Sequence, residues 1–396
     1  MTILVFVAHY LPGYKAGGPI RTIANMADRL SDYYTFKIIT LDRDLGDIAP
    51  YPRIKQNAWN QVGKAMVYYL KPSSISWKNF KRLMTDTSYD LIYLNSFFSW
   101  NFSIKPLMLR KIGVINKKTP IILAPRGEFS SGAIHLKSFK KKIFLLFSKV
   151  SGLYNDIIWQ ASSEFEKEDI KRVMGENKEI LIVPNVPSLF NKGKVDLLPL
   201  KSSGYLNCVF LSRISPKKNL KYALELLKRV NGQVEFNIYG PIEDKNYWNE
   251  CLSIINGLPE NITITYQGVL PHQDVFKIYT KHHLFLFPTL GENFGHVIIE
   301  SLTAGCPVII SDQTPWRDLE KEGAGWDFPL GKPELFQKAI QQCINMDENE
   351  FRLLSQNAKE YGISRSNDDK ILEANRNLFL YAVEKFKKRD NFSNIS

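Results

Sequence analysis

Short apolar runs alternate with amphipathic stretches along almost the whole chain. The runs Thr2–Ala8, Phe36–Thr40, Ala65–Tyr69, Leu91–Leu94, Pro120–Ala124, Ile157–Ala161 and Ile180–Val183 predict strands. Between them, helical spacing predicts helices over about Ile20–Leu30, Ser76–Met84, Ile104–Lys111 and Glu164–Met174. A second series follows, with strands at Leu206–Leu211, Val234–Tyr239, Ile262–Tyr266, Leu284–Phe287 and Pro307–Ser311. Helices are predicted up to about Val230, over Tyr247–Ile255 and from about His296 to Ala304, then at Lys332–Met346, Glu348–Tyr361 and Asp368–Lys388. Strands without polar alternation are buried on both faces, which is the mark of parallel sheets covered by helices. The reading is therefore α/β, with two Rossmann-like domains. The first spans 1–187 and the second 205–366. Residues 188–204, which have little periodicity, are the predicted linker, and 367–396 form a closing helical segment.

The stretch Leu284–Asp312 carries the most chemistry. A strand leads into a loop of Gly291, Glu292, Asn293, Phe294 and Gly295, then a helix, a glycine at Gly305 and a second strand. Free N–H groups and the positive dipole end at a helix start favour phosphate. Gly291 and Gly295 let a ligand approach the backbone. Glu292 and Glu300 bracket the element, and ionised carboxylates accept from sugar hydroxyls. Phosphate at the helix tip beside two such acceptors describes a nucleotide-sugar pocket.

Two glutamates eight positions apart, between FP-x-x-x-G-E-x-F-G and S-L-x-A-G-x-P-V-I, resemble glycosyltransferase family 4. That resemblance implies the GT-B fold, two Rossmann-like domains facing a central cleft, with the terminal helix crossing back to the first domain. It implies transfer of a sugar from a nucleotide diphosphate donor, UDP- or GDP-linked, with retention at the anomeric carbon. It also implies that Glu292 contacts the sugar ring, that Glu300 holds ribose hydroxyls, and that Asn293, Phe294 and Gly295 bind the donor. The segment Ser212–Leu220 is similar to the family's G-R-x-x-x-x-K-G element, with Arg213 and Lys218 as the cations that neutralise the diphosphate. Ser212 and Asn219 stand where the family has glycine. Gly268 and Val269 sit at a turn that contacts the base in the family. Gly17 and Gly18 match a Gly-Gly loop that faces the donor; the other reading is a flexible turn.

Parallel strands offer their C-terminal ends to ligands, which makes Asn95 a cleft candidate. The strand Pro120–Ala124 ends in Pro125-Arg126-Gly127-Glu128, and Arg126 stands where many family members have a histidine that contacts the donor sugar. Arg126 is expected to clamp a phosphate or an acidic acceptor bidentately, and Glu128 to accept from an acceptor hydroxyl; an Arg126–Glu128 surface pair is the alternative. His272, His282 and His283 lack zinc-like spacing and are read as solvated helix residues. No metal or other cofactor is expected, since the two cations offset the diphosphate charge and no D-x-D element sits where it could hold one.

A net charge of +12 calls for an anionic partner, yet no nucleic-acid-binding motif is present. The stretch Ile134–Val150 predicts an amphipathic helix, with Leu136, Phe139, Ile143, Leu146, Phe147 and Val150 on one face and Lys137, Lys140, Lys141, Lys142 and Lys149 around the other. It suits an anionic membrane surface, or packs its apolar side on the core. Four scattered cysteines, no basic leader before the first strand and no long apolar run suggest reduced thiols in a cytoplasmic protein, peripheral on the inner face of the membrane if that helix docks. The expected acceptor is a lipid-linked oligosaccharide of a bacterial surface polysaccharide such as O-antigen or capsule. The rivals are a nucleotide-sugar epimerase of the same fold and a catalytically dead glycan- or membrane-binding relative.

Overall fold

The computed structural model describes residues 1–130, 138–189 and 198–393. Positions 134–137 of the predicted basic helix and 190–197 of the predicted linker lie outside them. The chain forms two compact units, Met1–Val186 with Asp369–Ser396, and Pro187–Asp368.

Unit 1 is built on β1 (Thr2–Phe6), β2 (Thr35–Leu41), β3 (Trp59–Val62), β4 (Ala65–Leu70), β5 (Leu91–Leu94), β6 (Ile121–Leu123), β7 (Ile158–Ala161) and β8 (Ile180–Ile182). Their order in the sheet is β3-β4-β2-β1-β5-β6-β7-β8. All pairings are parallel except β3 with β4, and the central register sets Ile3 opposite both Phe36 and Leu91. The predicted loop Asp42–Asn60 conceals the start of β3. Its residues Asn60 and Gln61 break any apolar pattern, which an antiparallel edge strand tolerates. Helix Gly18–Arg29 begins two positions before the predicted start, with Gly17 at its N-cap in the left-handed region (φ 74°). A π turn, Trp100–Ile104, precedes helix Lys105–Lys111. The last helix, Asp369–Ser393, belongs to unit 1. Its Phe379 packs edge-on against Tyr34 and Tyr93, with ring centroids 5.4 and 5.6 Å away.

Unit 2 contains β9 (Tyr205–Leu211), β10 (Gln233–Tyr239), β11 (Ile262–Gly268), β12 (Leu284–Phe287), β13 (Val308–Ser311) and β14 (Gly325–Phe328). They form one parallel sheet in the order β11-β10-β9-β12-β13-β14. All four residues of β12 and of β13 are buried, as continuous apolar runs require.

Both strand orders reverse direction once. In unit 1 the chain runs outward from β1 to β2 and β4, then returns to the other side of β1 at β5. In unit 2 it runs from β9 to β10 and β11, then returns beside β9 at β12. At such a switch point the two flanking loops diverge and leave a crevice at the C-terminal ends of the strands, where ligands of open α/β sheets bind. Gly17 and Asn95 follow β1 and β5. Arg213 and Glu292 follow β9 and β12.

Candidate active site

The loops after β9 and β12 are sewn together. A 3-10 turn, Pro216–Lys218, ends at Asn219, whose φ of 58° is left-handed and which caps helix Leu220–Leu227. Asparagine is among the few side chains that enter that region readily, so Asn219 substitutes for glycine there. Its Nδ2 donates to the Pro288 carbonyl at 2.9 Å. The Leu290 amide donates to the Lys217 carbonyl at 2.9 Å, and the Thr289 hydroxyl donates to the same oxygen at 3.1 Å. This stitching brings Lys218 Nζ onto Glu292 Oε1, with both side chains 12% exposed. The Thr289 hydroxyl lies 3.3 Å from the same carboxylate oxygen, and the Glu292 amide donates to the Gln313 carbonyl. Arg213 donates to Glu243 at 3.0 Å in a more exposed pair.

Glu300 projects from helix His296–Thr303. Gly295 precedes that helix at φ 78°, where a Cβ would come within 2.8 Å of Ile298 Cδ1 and 3.4 Å of Trp316 Nε1, so the loop enters the helix on a bare backbone. The Trp316 indole donates to the Phe294 carbonyl, which fixes that entry. Glu300 Oε1 stands 4.0 Å from His272 Nδ1, and the carboxylate side chain is 14% exposed. Both line a cavity of about 120 Å³ with Phe276, Val275 and Thr303. His272 is thus a cavity residue. A signal for it was available, since it opens the helix that follows the C-terminal end of β11.

The other two histidines correct the solvated reading. His282 and His283 are buried. The Asn207 amide donates to His283 Nδ1 at 2.9 Å, so its Nε2–H donates to the Leu200 carbonyl at 3.0 Å. Burial pushes His283 down to about 4 and lowers His282 as well. Among the described residues no group of three or more His, Cys, Asp or Glu is placed to hold a metal ion. All four cysteines are free and buried, and burial pushes Cys306 up to about 12.

Unit 1 holds a separate polar cluster. Arg126 is left-handed (φ 57°), and so is Gly127 after it (φ 76°). Arg126 Nε and Nη2 both donate to Asn95 Oδ1, at 3.1 and 2.7 Å. Nη1 donates to Asn185 Oδ1 and Nη2 to the Tyr93 hydroxyl, which in turn donates to Gln160. Both forks of the guanidinium are occupied by neutral acceptors, so the expected bidentate clamp is not available in this arrangement. Glu128 is engaged as well. It accepts from the Ser96 hydroxyl and from the Phe97 and Phe98 amides at 2.7, 2.6 and 3.1 Å, which ties down the loop after β5 instead of presenting a free carboxylate. Tyr93, Asn185 and Glu243 lie in no motif that marks them as partners of these arginines. Gly268 lies at φ 79° with nothing near its Cβ position, and Val269 is exposed after it.

Residues 200–362 match the family model described as "Glycosyl transferases group 1". The match falls within unit 2, which is thus similar to group 1 glycosyltransferases. An "Uncharacterized 41.2 kDa protein in cps region" of Klebsiella pneumoniae is 23% identical over 241 residues, which cover 59% of this chain and 63% of that protein. The chain thus spans less than two thirds of that relative's length. Sucrose-phosphate synthase from Thermosynechococcus elongatus superposes with a TM-score of 0.71 at 16% identity, covering 99% of each chain. The Anabaena Alr3699/HepE structure, in complex with UDP and glucose, superposes with a TM-score of 0.65 at 16% identity, covering 96% of this chain and 99% of that one. These likenesses show the GT-B fold.

Proposed function

We propose that this protein is a group 1 glycosyltransferase, which transfers a sugar from a nucleoside-diphosphate donor, with retention, to a lipid-linked glycan of a bacterial surface polysaccharide such as O-antigen or capsule. The observation that carries the reading is the Lys218–Glu292 pair, set by the loops at the switch point of unit 2. In this reading Lys218 and Arg213 exchange their carboxylates for the donor diphosphate. Their charge offsets the negative charge that grows on the leaving phosphate as the glycosidic bond breaks. Glu292, released from Lys218, accepts from sugar hydroxyls. Glu300 accepts from the ribose in the cavity beside His272, and no metal takes part. Gly17 and Gly18 supply bare backbone after β1.

Three observations support the details. The neighbour in complex with UDP and glucose shares the fold, and the Klebsiella relative lies in a cps region. Helix Ser138–Val150 exposes Ile143, Leu146, Phe147 and Val150, while Phe144 packs on Phe97 with centroids 5.5 Å apart. These four residues of the predicted apolar face lie outward, and with exposed Lys149 they fit the surface of an anionic bilayer that carries the acceptor. No helix among the described residues is long and apolar enough to cross a membrane.

Titration of the chain with UDP and GDP tests the donor site. Glu300→Ala is expected to weaken the preferred nucleotide by roughly tenfold or more. Unchanged affinity removes the ribose role from Glu300, and absence of binding by either nucleotide removes the donor reading.

A further inference from the structure

Arg126 has a strained backbone and fixed neighbours, and the buried Glu166 carboxylate is taken up by the amide of the next residue, Gly127, at 2.7 Å. With a φ of 57°, Arg126 lies in a region that a long side chain enters at a cost, and such outliers persist where the surroundings over-determine them. Its four hydrogen bonds go to Asn95, Asn185 and Tyr93, all neutral. Among the described residues no carboxylate forms an ion pair with it. Four of the five guanidinium N–H groups are thereby used, and one on Nη1 remains. Beside it, Asn95 is 5% exposed, and its Nδ2 has no hydrogen-bond partner among the described residues. A buried amide donor left unmade is unfavourable, and the spare guanidinium N–H has no direct ion-pair partner. The two occur together at the C-terminal ends of β5 and β6, next to the switch point of unit 1, with the Gly17 loop following the adjacent β1.

We propose that Arg126, with Asn95 beside it, forms an anion subsite in unit 1 that takes a carboxylate or phosphate borne by the sugar substrate. This rests on the glycosyl-transfer reading and deepens it by naming a charged substrate class. Tyr93, Asn95 and Asn185 act as positioning residues. They hold the guanidinium plane by its forks, so that the ligand meets a fixed charge and one N–H instead of a mobile side chain. A small shift of the Asn95 amide brings its spare donor to the same anion. Neutral partners matter here, because a carboxylate in place of either asparagine would cancel the charge.

The test uses the full chain, titrated calorimetrically with two matched pairs of probes. UDP-glucuronate against UDP-glucose places the charge on the donor. Methyl glucuronide against methyl glucoside, with UDP present, places it on the acceptor. One pair is expected to show a preference for the anionic member of roughly tenfold or more. Arg126→Gln is expected to abolish that preference, while Kd for UDP, bound by unit 2, stays unchanged. Since Arg126→Gln can disturb folding, Asn185→Asp is the second variant. It keeps the guanidinium and adds a carboxylate partner, so it is expected to raise the melting temperature and still abolish the preference. No preference in either pair, or a preference that survives both variants, overturns the subsite. Loss of UDP binding by the unaltered chain instead overturns the reading on which it rests, so the two failures are distinct.

Discussion

Lys218 Nζ donates to Glu292 Oε1 across loops 74 positions apart in sequence, with 12% of each side chain exposed. A pair this enclosed stabilises little on balance, but removing one partner strands the other charge. Lys218→Ala is therefore expected to lower stability by about 1–3 kcal/mol and turnover by on the order of a hundredfold. Lys218→Ala with Glu292→Gln is expected to recover most of the stability and none of the turnover. Urea unfolding and nucleotide release from the donor read the two quantities separately. A double variant that regains activity would show that the pair is only structural.

Asn219 does two jobs at one position. It adopts φ 58° and its amide holds the Pro288 carbonyl. Asn219→Ala loses both and is expected to destabilise by about 1–2 kcal/mol, whereas Asn219→Gly keeps the left-handed turn and loses only the bond. The difference between the two unfolding midpoints isolates the backbone term. Equal midpoints would assign the whole effect to the hydrogen bond.

Elements buried on both faces were legible because burial leaves a continuous apolar run, as in LVF of β1 or LFLF of β12. The edge strand β3 was not, because a strand with one neighbour and an open side needs no such run. The glycine-led loop and the Glu292 and Glu300 positions were legible from their type and spacing. Partners were not, since Glu243, Asn185 and Tyr93 reach their arginines through the tertiary fold. Arg126 shows the limit most clearly. A cation at a strand end reads as free to bind, yet three neutral side chains, two at the end of β5 and one after β8, occupy its forks. The same holds for His282 and His283. Polar residues next to a helix end look solvated, but the turn into β12 carries them inward to meet backbone groups.

The outward face of helix Ser138–Val150 gives the membrane reading a direct check. Ile143, Leu146, Phe147 and Val150 are each more than half exposed. Vesicles containing phosphatidylserine are expected to float with the chain at low salt and to release it as salt rises, because screening removes the contribution of the lysines. Phe147→Glu, at a half-exposed position outside the core cluster of unit 1, is expected to abolish flotation while leaving the melting temperature within about a degree. Flotation that ignores both salt and Phe147→Glu would remove the helix from membrane binding.

His283 sets a pH dependence whose sign follows from its tautomer. Nδ1 accepts from the Asn207 amide, so protonating that nitrogen breaks a bond to β9 and places a charge in a buried site. The folded-state value is pushed down to about 4 from an ordinary 6.5. Above pH 6.5 both states are neutral and the contribution is complete. Between 6.5 and 4 the unfolded chain binds a proton that the native chain refuses, so stability falls as pH falls. The loss is expected to reach about 3 kcal/mol, with His282 acting in the same direction. Urea unfolding at several values between about pH 4 and 8 measures it. His283→Gln is expected to be less stable at pH 8 but to show a flatter decline toward acid. A variant that declines as steeply as the unaltered chain would mean that His283 is not the group that titrates.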